Sequence, residues 1–313
     1  MLKELYISNY RLFDELTIPD LGQVNLIAGK NNTGKTALLE ALRIWAARGN
    51  SSVVNHLLKV RGQFTPDFSG AYLALFTNNT LLNSIKINEI KLEKIQDRDG
   101  FVKDFIITMP TDLGRDISQL QASVTADYPQ DKSIFVPFNI PHFPLQLLWE
   151  NIVLTPLEGD VLEILKIIEP RLHRIDVNEE NSKVLLQGDS KPVSLKSLGE
   201  GMSRMLWLAV ALVSAKESKL LLIDEFEAGL HHSVQESLWE KIFQYAKEWD
   251  IQVFVTTHSM DTVRTFHDVA ELPGNAGIGK FFRLQRNRDG QIEVVGYGEE
   301  ELATALEFDL ETR

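Results

Sequence analysis

Two kinds of apolar pattern alternate at both ends of this chain. Thr36–Ala47 (TALLEALRIWAA), Met202–Ala215 and Ser233–Trp249 carry apolar residues at helical spacing, whereas Val24–Ala28 (VNLIA), Leu220–Ile223 (LLLI) and Ile251–Thr256 (IQVFVT) are short unbroken apolar runs. The first pattern predicts helices with one buried face; the second predicts strands covered on both faces. Leu2–Ser8 and Leu16–Ile18 read as strands leading to Val24–Ala28, with Asn9-Tyr10-Arg11-Leu12-Phe13 in the turn between them. From about residue 50 to 191 the helix–strand rhythm breaks up. Ile85–Ile95 and Phe101–Met109 read as two strands around Asp99-Gly100, a hairpin signal. Ser133–Pro144 holds Pro137, Pro141 and Pro144 and reads as irregular or as a sheet edge. Leu145–Asn151 and Asp160–Ile168 read as helices and Val184–Gln187 as a strand. Near the end, Phe281–Arg286 and Gln291–Val295 flank Asp289-Gly290, a second hairpin, and Glu299–Phe308 reads as a last helix. No internal repeat and no long heptad run is present.

Composition narrows the picture. With 313 residues, 44% hydrophobic and 24% charged, the chain has the make-up of a globular protein with a large core. The longest apolar run, around Met205–Ala215, is too short to span a bilayer, and Met1-Leu2-Lys3-Glu4-Leu5 does not resemble a signal peptide. The absence of cysteine excludes disulfides and thiolate metal sites and suits the reducing cytoplasm, the expected location. A formal net charge of −12 argues against nucleic-acid binding by charge alone, although a local basic track is compatible with it.

The chemistry begins at Gly29-Lys30-Asn31-Asn32-Thr33-Gly34-Lys35-Thr36. This GKNNTGKT run fits the phosphate-loop pattern G-x-x-x-x-G-K-[ST] and lies between a predicted strand and a predicted helix. In that setting the amides of Asn31, Asn32, Thr33, Gly34, Lys35 and Thr36 converge on phosphate oxygens at a helix N-terminus. Lys35 would reach the β- and γ-phosphates, and the Thr36 hydroxyl would ligate Mg²⁺. Leu220–Ile223 runs into Asp224-Glu225, as a nucleotide hydrolase requires at the carboxyl end of a core strand. Asp224 would hold Mg²⁺, and Glu225 would polarise the attacking water. His258 in Thr256-Thr257-His258-Ser259 ends the next strand, where its ring can donate to a γ-phosphate oxygen. The stretch from Asp224 leaves room for one helix and one strand, placing His258 beside the phosphate in a parallel sheet.

Ser197-Leu198-Gly199-Glu200-Gly201 precedes the Met202–Ala215 helix. It reads either as a simple serine N-cap or as a second anion site. One nucleotide does not need two helix N-termini of one subunit, so a second anion site would serve the ATP of a partner.

In this order, phosphate loop, S-x-G-E-G segment, aliphatic-Asp-Glu strand and T-T-H-S resemble the ABC-type ATPase heads. The tract Leu220–His232 (LLLIDEFEAGLHH), the segment Asn9–Phe13 (NYRLF) and Trp149–Glu169 are similar to the stand-alone, AAA-annotated heads near the OLD and RecF/SMC groups. The resemblance covers roughly 1–48 and 191–313 well and 49–144 less well. It implies an α/β fold with a mixed core sheet flanked by helices and an antiparallel β lobe. It also implies two core lobes, 1–48 and 191–313, with 49–190 inserted as a partner or trigger surface. Two heads would sandwich two ATP molecules as a homodimer, with Ser197, Gly199 and Glu200 contacting the nucleotide bound at Lys35 of the other copy and Ala228–His231 crossing the interface. Lys196 and Leu198 depart from the usual L-S-G-G-Q signature, and His231 stands where an aspartate is usual. Gln63 is the candidate for the glutamine after a lid strand. The stretch after His258 is too short for the TOPRIM nuclease of full OLD proteins, so the expected partner is a separate, nuclease-like effector chain in anti-phage defence. The expectation is thus a Mg²⁺-dependent ATPase, without membrane association, whose dimerisation is the switch. The alternative is a RecF-like DNA clamp using Lys280, Arg283, Arg286 and Arg288 on the second hairpin. A non-hydrolysing scaffold has no need of Glu225. The adjacent His231-His232 pair reads as interface rather than metal site.

Overall fold

The computed structural model describes residues 1–63, 74–77, 84–96, 102–111, 114–119, 132–138, 145–178 and 181–307. The first hairpin is β1 (Leu5–Tyr10) and β2 (Phe13–Ile18), in register from Leu5↔Ile18 to Tyr10↔Phe13. Its turn is tighter than the expected five residues. Arg11 and Leu12 alone connect the strands, with Asn9 and Arg11 in left-handed backbone conformations, φ 55° and 53°.

Then come β3 (Val24–Gly29), α1 (Lys35–Ala46) and α2 (Ser51–Val60). The second helix lies within the stretch where the helix–strand rhythm breaks up. Asn50 caps it, accepting from Ser52 N at 2.8 Å, and Val53, Val54, Leu57 and Leu58 form its buried stripe. Next are β4 (Ile85–Ile87), β5 (Ile90–Gln96), β6 (Val102–Thr111) and β7 (Gly114–Gln119). The expected strand Ile85–Ile95 is therefore two, broken at Asn88-Glu89. Asn88 takes φ 49°, and its side chain links Tyr6 N and Glu4 O. The partners β5 and β6 are antiparallel as expected; Asp99-Gly100, Pro141 and Pro144 lie outside the described residues.

The remaining elements are β8 (Ile134–Val136), α3 (Leu145–Glu150), α4 (Leu157–Leu165), β9 (Leu172–Asp176), β10 (Lys183–Leu186), β11 (Val193–Ser194), α5 (Glu200–Ser218), β12 (Leu220–Ile223), α6 (His232–Trp249), β13 (Gln252–Thr257), α7 (Met260–Ala270), β14 (Gly279–Arg286), β15 (Ile292–Tyr297) and α8 (Glu299–Glu307).

The central sheet has the order β15-β14-β3-β13-β12-β8. Five of its strands are parallel and β15 is antiparallel at one edge. β8 takes the other edge, where the proline at its end does no harm to a ladder. A second sheet, β2-β1-β4-β5-β6-β7, is antiparallel, and β11-β10-β9 forms a third. Strand residues divide between two cores by simple alternation. Leu221, Ile223, Val253 and Val255 face one core with α5, α6 and α7, whereas Leu220, Leu222 and Phe254 face the other with α1, α2 and the antiparallel sheet. Double coverage is why β3, β12 and β13 are buried at every position. The carboxyl ends of β3, β12 and β13 consequently open together on one rim, and the candidate site lies there.

Candidate functional site

The loop between β3 and α1 is shaped by its glycines and by contacts beneath it. Gly34 has φ 94° and stands at the N-terminus of α1; a Cβ there would meet the Phe13 ring at 2.7 Å. Gly29 is equally confined, since a Cβ would lie 2.7 Å from both Leu284 O and Thr33 Oγ1. Thr33 Oγ1 donates to Lys30 O at 2.8 Å and ties the loop across itself. Asn32, at φ 63°, offers its carbonyl to Arg286 of the C-terminal hairpin at 3.2 Å. Lys35 is buried, and its Nζ donates to Gly29 O at 2.6 Å and Lys30 O at 3.0 Å. Burial pulls its ammonium below the usual lysine range, against the opposing pull of Asp224, Glu225 and Glu227.

The acid pair arrives from β12. Asp224 is 4% exposed and accepts from Thr36 Oγ1 at 2.9 Å and Thr256 Oγ1 at 2.6 Å. Burial raises its carboxyl above the ordinary range, and those two hydroxyls work in the opposite direction. Glu225 is half-buried in a left-handed conformation, φ 49°, which is strained for a residue with a side chain. Its neighbours hold it there. Glu225 N donates to Thr256 Oγ1 at 2.9 Å, Phe226 N donates to Thr256 O at 3.0 Å, and the Phe226 ring stacks on Trp239 at 4.3 Å. Its carboxyl is raised, first by burial and then by Asp224.

His258 follows β13 directly and is pinned by Glu227. The His258 amide and Nδ1 approach Glu227 Oε1 at 2.8 and 2.9 Å, and Thr257 Oγ1 donates to Glu227 Oε2 at 2.8 Å. Glu227 thus engages Nδ1 of the ring and leaves Nε2 as the nitrogen without that contact. Glu227 lies within the Leu220–His232 tract, but the sequence alone assigns it no role. Its one signal there is position, an acid two residues beyond Glu225 on the loop leaving the same strand.

The loop and Glu225 border a cleft of about 1010 Å³ that takes in Asn31 to Ala37, Arg11, Asp14, Arg61 and, from the hairpin tip, Arg286, Asp289, Gly290 and Gln291. Asp224, Glu227 and His258 do not line it. Arg11 stands on the cleft wall within a buried charge network. Its Nε meets Glu40 Oε2 at 2.8 Å, Arg61 Nε meets Glu40 Oε1 at 2.6 Å, and Arg11 Nη1 donates to Gln63 Oε1 at 3.0 Å. Gln63 thus reaches the cleft edge through Arg11. Burial disfavours the Arg11 charge, but Tyr10 and Glu40 outweigh it and raise its pKa.

Ser197, Gly199 and Glu200 are exposed, and none of them lines this cleft. Ser197 does not cap α5. Its hydroxyl donates to Ser194 O at 2.6 Å, and Gly199, at φ 99°, holds the N-cap position without a side-chain bond. The basic hairpin is largely engaged within the molecule. Lys280 pairs with Asp20 at 2.5 Å, and Arg286 donates to Gly290 O and Asn32 O. His231 caps α6, accepting from Ser233 N at 3.3 Å, with the His232 ring 4.1 Å away. No group of three potential metal-ligating residues occurs among the described residues.

The arrangement suits a magnesium-bound triphosphate. Mg²⁺ takes hard oxygen donors, and a hydroxyl and a carboxylate oxygen, Thr36 Oγ1 and Asp224 Oδ2, already converge beside the loop amides. Fold and site together define a P-loop ATPase built on the ABC-type head.

Comparison with known proteins agrees. Residues 1–110 match the family model described as an AAA ATPase domain, and residues 156–264 match one described as "AAA domain, putative AbiEii toxin, Type IV TA system". An ATP/GTP phosphatase of Helicobacter pylori is 23% identical over 96% of each chain. The DNA replication and repair protein RecF of Bacillus thuringiensis is 21% identical over 99% of this chain and 79% of its own length. Among solved structures, the Smc head domain bound to the C-terminal domain of ScpA derived from Pyrococcus furiosus shares the fold, with a TM-score of 0.56, 13% identity and 98% of each chain covered. No helix among the described residues is long and apolar enough to cross a membrane.

Proposed function

We propose that this ATPase is an ATP-gated dimerising switch acting on a separate effector chain. The observation that carries the reading is the placement of Ser197, Gly199 and Glu200. They form an exposed glycine-led helix start that contributes nothing to the cleft of their own chain. In a two-fold pairing of heads, that start would close the open side of the partner's cleft.

Within each site the chain's own residues divide the work. The amides of Asn31 to Thr36 and the Lys35 amine bind and orient the triphosphate. Thr36 and Asp224 would hold Mg²⁺, which would supply positive charge to offset that of the triphosphate. Glu225 takes the proton of the attacking water, and its raised pKa makes it a stronger base than an exposed glutamate. His258, aimed by Glu227, reports the γ-phosphate. Two nucleotides bind the closed pair better than the open heads, so hydrolysis shifts that equilibrium. The lobe 49–190 is the surface offered to partner or trigger. The setting proposed is bacterial anti-phage defence, with a nuclease-like effector; it rests on the resemblance of Leu220–His232 to stand-alone OLD-type heads.

The RecF relative favours a second reading, an ATP-gated DNA clamp. The engaged state of Lys280 and Arg286 and the net charge of −12 weigh against it. Salt-dependent DNA binding that stimulates turnover would reverse that judgement. The primary test is Glu225→Gln with saturating MgATP. Light scattering should show the variant accumulating as a dimer that the wild type forms only transiently; a variant that stays monomeric sinks the switch.

A further inference from the structure

One buried arginine joins three segments of the site. Arg204, in the first turns of α5, is 4% exposed. Its Nη1 donates to Pro137 O at 3.0 Å, and its Nη2 donates to Asp224 O at 3.1 Å and Glu225 O at 3.3 Å. It makes no ion pair among the described residues, and its Nε has no partner there. Its stem borders the loop that follows the acid pair: a Cβ on Gly229 would lie 3.6 Å from Arg204 Cβ, and one on Gly201 would lie 3.1 Å from Gly229 O.

Burial works against the Arg204 charge, and the nearby Asp224, Glu225 and Glu227 carboxylates offset that only in part. What the guanidinium supplies is direction. Its planar fork fixes several carbonyls at once. Two of them bracket the strained Glu225 residue, so displacement of α5 re-aims that carboxylate.

We propose that Arg204 is a positioning residue that couples the seating of the α5 N-terminus on a partner's nucleotide to the aim of Glu225. This rests on the sandwich reading above. Hydrolysis is thereby restrained in a lone head and released on pairing. The coupling is carried by one side chain that touches neither nucleotide.

The test is a double-mutant cycle on the full chain. Ser197→Ala and Arg204→Lys are made singly and together, with kcat read from phosphate release and MgATP affinity from fluorescent-nucleotide binding. Each single change should lower kcat about tenfold and leave Kd within about threefold, and the double variant should lie within about threefold of the worse single. Losses that multiply to about a hundredfold overturn the coupling. So does a Kd that rises in step with the fall in kcat, as a merely structural role would give. Arg204→Met removes all the donors; unchanged kcat there also overturns the proposal, and Arg204→Lys carries the test if that variant fails to fold. If Ser197→Ala is silent and Glu225→Gln does not dimerise, the sandwich itself falls and the coupling with it. If Glu225→Gln dimerises normally while the cycle is multiplicative, only the role of Arg204 falls.

Discussion

Two glycines open two helices in this molecule, and their surroundings differ. Gly34 leads into α1 and Gly199 into α5, at φ 94° and 99°, and neither helix start has a side-chain cap. Beneath Gly34 the Phe13 ring leaves no space for a methyl group, whereas a Cβ on Gly199 would meet nothing within 4 Å. The first loop is packed from below and tied to Asp224 through Thr36. The second is exposed, and its Ser197 hydroxyl bonds Ser194 O. The first amides of a helix lack intrahelical partners and suit an anion. One loop is held rigid by its own chain; the other, under the proposed switch, is completed by a second copy.

Substitutions can break or sharpen this contrast. The largest difference should be in nucleotide affinity. Lys35→Ala should weaken MgATP binding about a hundredfold or more, while Ser197→Ala should stay within about threefold, both measured by calorimetry. Similar losses in the two variants would erase the distinction between the loops. Next comes stability. Gly34→Ala combines a left-handed backbone with a clash and should lower the unfolding free energy by about 3 kcal/mol, against about 1–2 kcal/mol for Gly199→Ala, where only the backbone is strained. Equal losses by denaturant titration would mean that Phe13 yields freely.

A smaller effect concerns pH. The Glu225 pKa is raised, so the carboxylate takes up its proton at a higher pH than an exposed glutamate does. Turnover should therefore fall on acidification through a value above the ordinary glutamate pKa of about 4.3. An acidic limb at or below that value, from kcat profiles, would remove Glu225 as the base. The smallest expected effect is that of Glu227→Gln. It keeps the side chain's shape but loosens the hold on His258 and Thr257, and should lower kcat about three- to tenfold with little change in affinity.

The half of the site that is local in the chain is legible in the amino-acid sequence alone. A phosphate loop announces itself because strand, glycines, lysine and hydroxyl follow one another without interruption. The β12 strand is equally plain, since a strand covered on both faces leaves an unbroken apolar run ahead of its acids. What stays hidden depends on contacts far apart in the chain. Arg204 reads as one more polar residue in an apolar helix until β12 brings the Asp224 and Glu225 carbonyls to it. Glu227 looks like loop decoration until β13 delivers His258. Arg11 sits in a recognisable turn, but its hold on Glu40 needs α1 folded over β1. The same holds for the fold. Apolar runs locate the core strands to within a residue or two, while Ile85–Ile87 belongs beside β1 only through long-range pairing. The α2 and α7 helices do carry visible signals. Asn50 and Ser259 stand at their starts, with apolar residues behind at helical spacing.

The central claim is that each working site is shared between two copies. Mixing Lys35→Ala chains with Ser197→Ala chains tests it most directly. A mixed pair holds one site with an intact Lys35 facing an intact Ser197. The mixture should recover about a quarter of wild-type turnover, half the pairs being mixed and each carrying one whole site. Turnover no higher than the average of the two variants alone would contradict a shared site.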